Sequence, residues 1–549
     1  MAAPHNLTRR SALALGASVA ALATVPSLAV PPPPPPPLVN TTNGPTDGYW
    51  ANGVIAYKGI RYGAPPTGPL RFMPPRKPAP WAKPADGMNF GPPAIQMAIG
   101  TAGEEPKTDL AKSLQTVYPT LAEVKIGSED CLFLNVWTPF GKDGHGDNGK
   151  RPVMVWLHGG GFAYGSGAWP SYDGGNLAKK GDVVVVTLNH RLNAFGYLEL
   201  GDIGGADFAK SGNVGMLDIV LALEWVRDNA AAFGGDPNNV TIFGESGGGA
   251  KVSTLMAMPS AHGLFHKAIV ESGPGLKGVQ KAAATQDAKD ITAELKVSDV
   301  KALQAMPADQ IVAAAKAVSA RRGPGSEIRF LAPVVDGDVL PSDPFDPAAP
   351  AMSANVPLII GTNKDEMTLF MAGMPWFGKL TDDQLNAQAP MMAGPKAPAL
   401  LAALRAAHPD YSPTYLMTEL VTTTFMWDGS IKLAERKAAQ KAAPVYMYNL
   451  RWETPIGGGI FKSPHTLEIP LVFDNEENSR ALLGPGPDPQ AVADQMSSAW
   501  IAFAKTGNPN NAAIPQWPAY NSAKRATMLF NVKSRVENDP YADVRKALA

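Results

Sequence analysis

The stretch Val240-Thr241-Ile242-Phe243-Gly244-Glu245-Ser246-Gly247-Gly248-Gly249 restricts this chain more than any other. An apolar β run stops at a glycine, a serine follows, and small residues open a helix. Such a G-x-S-x-G turn sets the serine at the tip of a tight strand-to-helix reversal, with its backbone strained and its hydroxyl pushed out of the sheet. Gly244 and Gly248 flank it because strand and helix cross there too closely for side chains. The pentapeptide alone also arises by chance in glycine-rich chains. The β run before it and the helix after it give it structural sense.

Around that turn, buried β runs alternate with helices. Residues 152–157 and 183–188 are almost wholly apolar, as strands covered on both faces are. Residues 54–60, 131–137, 357–361 and 444–450 read as further strands. Leu217, Leu221 and Trp225 recur every four residues, which predicts a helix over 218–227. This rhythm predicts an α/β fold, with a large, mostly parallel central sheet and helices on both faces. Residues 280–320 are alanine-rich and helical in character. The methionine-rich segment 367–427 predicts a helical, cap-like insertion, suited to an adaptable pocket wall or to ordinary packing. A late helix is expected over 495–505, and a last edge strand over 527–530.

The N-terminus reads as an address. Arg9-Arg10 precedes an apolar run over 12–23, and Ser27-Leu28-Ala29 is a small-x-small cleavage pattern. A twin-arginine-like signal over 1–29 implies export, to the periplasm or beyond. The apolar run is short for a membrane span, so none is expected after cleavage. The polyproline run 31–37 predicts an extended spacer over 30–45, followed by one folded domain over 46–549. With hydrophobic residues at 45% and charged residues at 18%, that domain can bury a large core. Lys+Arg at 48 against Asp+Glu at 49 leaves no basic excess to attract nucleic acid. Cys131 stands alone, which excludes an intrachain disulfide.

A serine hydroxyl needs a base, and the base needs an acid to orient it. Behind a G-x-S-x-G turn the chain order is serine, acid, histidine. Of the eight histidines, His262, His266, His408 and His465 follow Ser246. His262 and His266 come too soon after the elbow helix, and His408 lies in the helical insertion. His465 follows the strand over 444–450, in a loop of small and polar residues, and is the expected base. For the acid, Asp365 and Glu366 both follow the strand over 357–361, and Asp336 is a third contestant. Spacing alone does not separate them. The run His158-Gly159-Gly160-Gly161-Phe162 follows another buried strand. Its glycines let backbone N–H groups approach a developing oxyanion, and Gly247 N–H adds another. The histidines have no metal-ligand spacing, and no metal or organic cofactor is implied.

These residues resemble the type-B carboxylesterase family of large α/β-hydrolases. The marks are the Tyr57–Tyr62 stretch with Pro65-Pro66, Glu129-Asp130-Cys131-Leu132, His158–Phe162, Gly212-Asn213-Val214-Gly215, Phe233-Gly234-Gly235-Asp236-Pro237 and the elbow itself. The resemblance implies an α/β-hydrolase fold and hydrolysis of a small to medium carboxylic ester through an acyl-enzyme. It implies Ser246, His465 and Glu366 as the triad, with Gly160, Gly161 and Gly247 as oxyanion donors. It gives Glu245 a secondary electrostatic role near the base. An amide or carbamate hydrolase with the same triad, or a non-catalytic interaction protein on the same fold, are the alternatives. The sequence also departs from the family pattern. The usual cysteine partner of Cys131 is missing, so its loop is expected to be held by packing alone. Met367 and Thr466 replace glycines that commonly follow the acid and the base, which narrows the pocket. Nothing after Trp81 matches the aromatic that grips choline, so choline esters are not expected. Phe330 and Leu331, near 327–329, are candidate walls of the acyl side. The ester itself and the oligomeric state are not readable.

Overall fold

The computed structural model describes residues 36–96, 127–139, 149–323 and 330–548. The chain divides into two units, 1–35 and 36–549, and the described residues all fall in the second. The expected export signal, most of the proline run and the 327–329 segment lie outside the described residues. Strand structure reaches ahead of the expected domain start at Thr46. Strands β1 (Leu38–Thr41) and β2 (Gly44–Asp47) form an antiparallel hairpin ahead of and including Thr46. Thr41 Oγ1 donates to Gly44 O at 2.7 Å and closes the turn. The prolines just before it hid this local signal, and most of residues 38–45, expected as spacer, is paired strand.

The core is an eleven-stranded sheet. Its first part is β3 (Tyr49–Ala51), β4 (Val54–Arg61) and β5 (Phe133–Pro139). The middle is β6 (Arg151–Leu157), β7 (Val184–Leu188), β8 (Gly235–Glu245) and β9 (Lys267–Glu271). A separate two-strand pair, β10 (Val279–Gln280) with β11 (Val334–Val335), follows. The sheet resumes with β12 (Leu358–Asn363), β13 (Val445–Leu450), β14 (Ala526–Phe530) and β15 (Arg535–Asn538). In space the order is β15-β14-β13-β12-β9-β8-β6-β7-β5-β4-β3. From β14 through to β7 every pairing is parallel, and antiparallel strands finish both sides.

Every residue of β6, β7, β9, β12 and β13 is buried, which is why those runs carry almost no polar alternation. Helices Val214–Asn229, Gly247–Leu255 and Asp488–Thr506 pack around the sheet. Trp156 in β6 meets Phe243 in β8 at 5.0 Å and Phe473 at 5.1 Å, both edge to face. Burial of such rings supplies much of the driving force at the centre, about 25 cal/mol per Å² of apolar surface. The helical insertion comes between β12 and β13 and includes Asp382–Ala393, Ala397–Ala407 and Pro413–Thr422. The strand expected at the edge over 527–530 is interior, because β15 pairs beyond it.

The described flanks of the loop expected to lack a disulfide are joined by backbone hydrogen bonds. Ile95 N donates to Ser128 O at 3.2 Å and Ser128 N to Pro93 O at 2.9 Å. These two bonds join the residues on either side of 97–126, which lies outside the described residues, and Cys131 is buried.

Candidate active site

In an open parallel sheet, functional groups gather beyond the carboxyl ends of the strands. Here β8 ends at Glu245 and hands over to Ser246. Ser246 has φ 58° and ψ −121°, a conformation that costs a serine about 1–3 kcal/mol. Its N–H is anchored on Glu271 O, at the end of β9, at 2.8 Å. Glycine is required around it. A Cβ on Gly248 would lie 2.0 Å from Leu157 O, and one on Gly244 2.5 Å from the same oxygen.

Strand β12 ends at Asn363, and a short turn places Glu366 over the sheet. The loop after β13 brings in His465. His465 Nδ1 and Glu366 Oε2 are 2.5 Å apart, both groups buried. Glu366 Oε1 accepts from Asn363 N at 2.7 Å, which fixes the carboxylate. The other contestants are occupied elsewhere. Asp365 Oδ2 accepts from Ser463 N at 3.3 Å, and Asp336 Oδ2 accepts from Asn213 Nδ2 at 2.9 Å. His408 stacks on Tyr411, with ring centres 4.4 Å apart. His266 Nδ1 accepts from Val240 N, five residues before Glu245 on the elbow strand.

The second imidazole nitrogen, Nε2, lies 3.1 Å from Glu245 Oε1. Burial lowers the His465 pKa, but Glu245 and Glu366 more than reverse this and lift it to about 9. Burial pushes Glu245 well above the ordinary glutamate range, against the pull of His465. The two groups therefore compete for one proton. Further in, Glu468 accepts from Ser272 Oγ at 2.9 Å and from Asn363 Nδ2 at 2.5 Å. Glu271 accepts from Trp500 Nε1 at 2.8 Å. Sequence reasoning gave neither carboxylate a role. Burial raises both, with Glu366 adding to the effect at Glu468 and Glu468 adding to it at Glu271.

Strand β6 delivers the glycine turn. Gly160 and Gly161 have φ of 82° and 59°, in the left-handed region that glycine enters without penalty. The turn is pressed against the elbow. A Cβ on Gly247 would stand 2.5 Å from Gly161 N, and one on Gly159 3.5 Å from Ser246 Cβ. Gly160, Gly161, Gly247 and Ser246 thus share one corner of the structure.

The chain matches the model of the Carboxylesterase family over residues 35–546. It belongs to that family. It is 36% identical to the para-nitrobenzyl esterase of Bacillus subtilis over 516 residues, spanning 93% of this chain and 98% of that protein. It is 30% identical to the phenmedipham hydrolase of Pseudarthrobacter oxydans, across 93% of this chain and 97% of that one. A solved Geobacillus stearothermophilus carboxylesterase superposes with a TM-score of 0.79 at 37% identity, covering 93% of this chain and all of the other. The protein is a carboxylesterase with the α/β-hydrolase fold, a carboxylic ester hydrolase.

Two positions, Thr466 and Met367, flank the base and the acid. Thr466, next to the base, has φ 73°, an unusual conformation for a β-branched residue. Met367, next to Glu366, donates its N–H to Thr422 Oγ1 at 3.2 Å and so joins the helical insertion. Phe370 packs on the His465 ring at 5.1 Å and stays partly exposed. Phe330 and Leu331 are buried, with the Arg322 guanidinium 4.9 Å from the Phe330 ring.

Proposed function

We propose that this carboxylesterase cleaves small to medium esters by acyl transfer through Ser246. The observation that carries this reading is the buried 2.5 Å contact between His465 Nδ1 and Glu366 Oε2. A carboxylate there fixes the tautomer that leaves Nε2 to accept a proton. His465 takes the Ser246 proton as Oγ attacks the ester carbonyl. The oxyanion forms against the N–H groups of Gly160, Gly161 and Gly247, each worth about 3 kcal/mol in the transition state. The carbon–oxygen bond to the alcohol breaks, and the alcohol leaves with the proton from His465. Water, deprotonated by His465, then attacks the acyl-enzyme and frees the acid and Ser246. Glu245 holds Nε2 while the site waits for substrate. No step calls for a metal or organic cofactor.

The test is hydrolysis of p-nitrophenyl esters from acetate to decanoate by the parent and Ser246→Ala, with the p-nitroanilides assayed beside them. Ester turnover by the parent should fall by about 10⁴-fold or more in Ser246→Ala. The chain-length optimum then sizes the acyl pocket, and faster anilide turnover would favour an amide substrate. Full activity in Ser246→Ala would remove Ser246 from the mechanism. Export by the leader over 1–29 is a proposal of the same kind. N-terminal sequencing of protein recovered from the periplasm or medium of a bacterial host tests it.

A further inference from the structure

The elbow helix carries a lysine that solvent does not reach. Lys251 is fully buried. Its Nζ donates to His158 O at 2.9 Å and lies 5.4 Å from the centre of the Phe162 ring. His158 precedes the Gly159–Gly161 turn and Phe162 follows it, so one ammonium holds both ends. Helical side chains lean toward the helix N-terminus, which carries this one back toward Gly247.

The surroundings do little to compensate a charge there. The His158 and His190 rings stack 5.0 Å apart. Each Nδ1 lies 2.9 Å from a backbone carbonyl, of Gly159 and of Arg191, so Nδ1 is the protonated nitrogen in both. Burial first, then Lys251, keeps both rings neutral. Burial pulls Lys251 itself down to about 7, and Glu245 opposes that pull. A buried ammonium costs several kcal/mol, and a methionine of similar length would fill the space without that cost. What the lysine adds over methionine is its N–H groups and charge.

We propose that Lys251 is a positioning residue for the oxyanion donors: by gripping the His158 carbonyl and the Phe162 ring from the elbow helix, it keeps Gly160 and Gly161 in register with Gly247. This rests on the reading of Ser246 and the glycine turn given above. Lys251 itself touches no substrate. Its effect is felt once the carbonyl oxygen carries charge, so it bears on kcat and not on ground-state binding.

The test is Lys251→Met, with Lys251→Leu in its place if the methionine variant is recovered unfolded. With p-nitrophenyl butyrate, kcat should fall about 10- to 100-fold while KM changes by less than about threefold. Affinity for an alkyl trifluoromethyl ketone, whose serine adduct carries an oxyanion, should fall by the same factor as kcat. A folded variant with kcat within about threefold of the parent overturns the proposal. So does a loss of kcat with ketone affinity unchanged. Ser246→Ala in the same series separates the two readings. If it still hydrolyses ester, the site assignment fails; if it is inactive while Lys251→Met is unimpaired, only the clamp fails.

Discussion

At His465 two carboxylates compete for one imidazole. Glu366 sits on Nδ1 and Glu245 on Nε2, and together they lift the pKa to about 9. A general base works only when deprotonated, so kcat/KM should rise with pH as His465 loses its proton. Glu245→Gln removes one of the charges that favour imidazolium. The rising limb of the kcat/KM profile should therefore move to lower pH, and a limb that stays in place would show that Glu245 does not load the base. Thr466 presents a different strain. At φ 73° a β-branched side chain is crowded by its own backbone. Thr466→Gly should raise the thermal midpoint, with a gain of about 1 kcal/mol after the extra unfolded-state entropy of glycine is deducted. Residue chemistry was only partly legible in the sequence. Ser246 and His465 followed from chain order and elimination. Asp365 and Glu366 are adjacent carboxylates that spacing leaves unseparated; the family resemblance implies Glu366, and the turn after β12 brings that one to the ring. Lys251 was invisible, because a lysine in a helix reads as a solvated side chain until a loop is seen closing over it.

Among the elements, the elbow is the least tolerant. Helix Gly247–Leu255 crosses the end of β6 so closely that a methyl on Gly248 would meet Leu157 O at 2.0 Å. Gly248→Ala must part strand and helix, and should cost about 1–3 kcal/mol in stability together with most of kcat. Thermal unfolding and p-nitrophenyl butyrate turnover measure the two losses. The strands that were legible, such as β6, β7 and β12, are buried on both faces and therefore uniformly apolar. Strand β9 was missed because lysine and glutamate stand at its two ends, Lys267 and Glu271, and leave only three apolar residues between. Strand β15 was missed for the opposite reason. Arg535-Val536-Glu537-Asn538 lies at the sheet edge, where charge replaces the hydrophobic pattern.

Across the whole molecule, one parallel sheet aligns the carboxyl ends of β6, β8, β12 and β13, and the loops leaving them carry every proposed catalytic group. The edges protect that arrangement. β3 is only three residues long, and β15 exposes Arg535 and carries Glu537. Replacing both with valine should convert the β15 edge into a pairing surface, seen as self-association in light scattering with hydrolysis unchanged at low concentration. Among the described residues no helix is long and apolar enough to cross a membrane. The pairing of Pro93 and Ile95 with Ser128 has a practical side. Here the chain uses the peptide groups of Pro93, Ile95 and Ser128, and its single thiol is sealed in the core. Reductants have no bond to break there and oxidants no second thiol to recruit. These flanks can pair during folding without an oxidising compartment or a disulfide isomerase, and millimolar dithiothreitol should leave turnover unaltered.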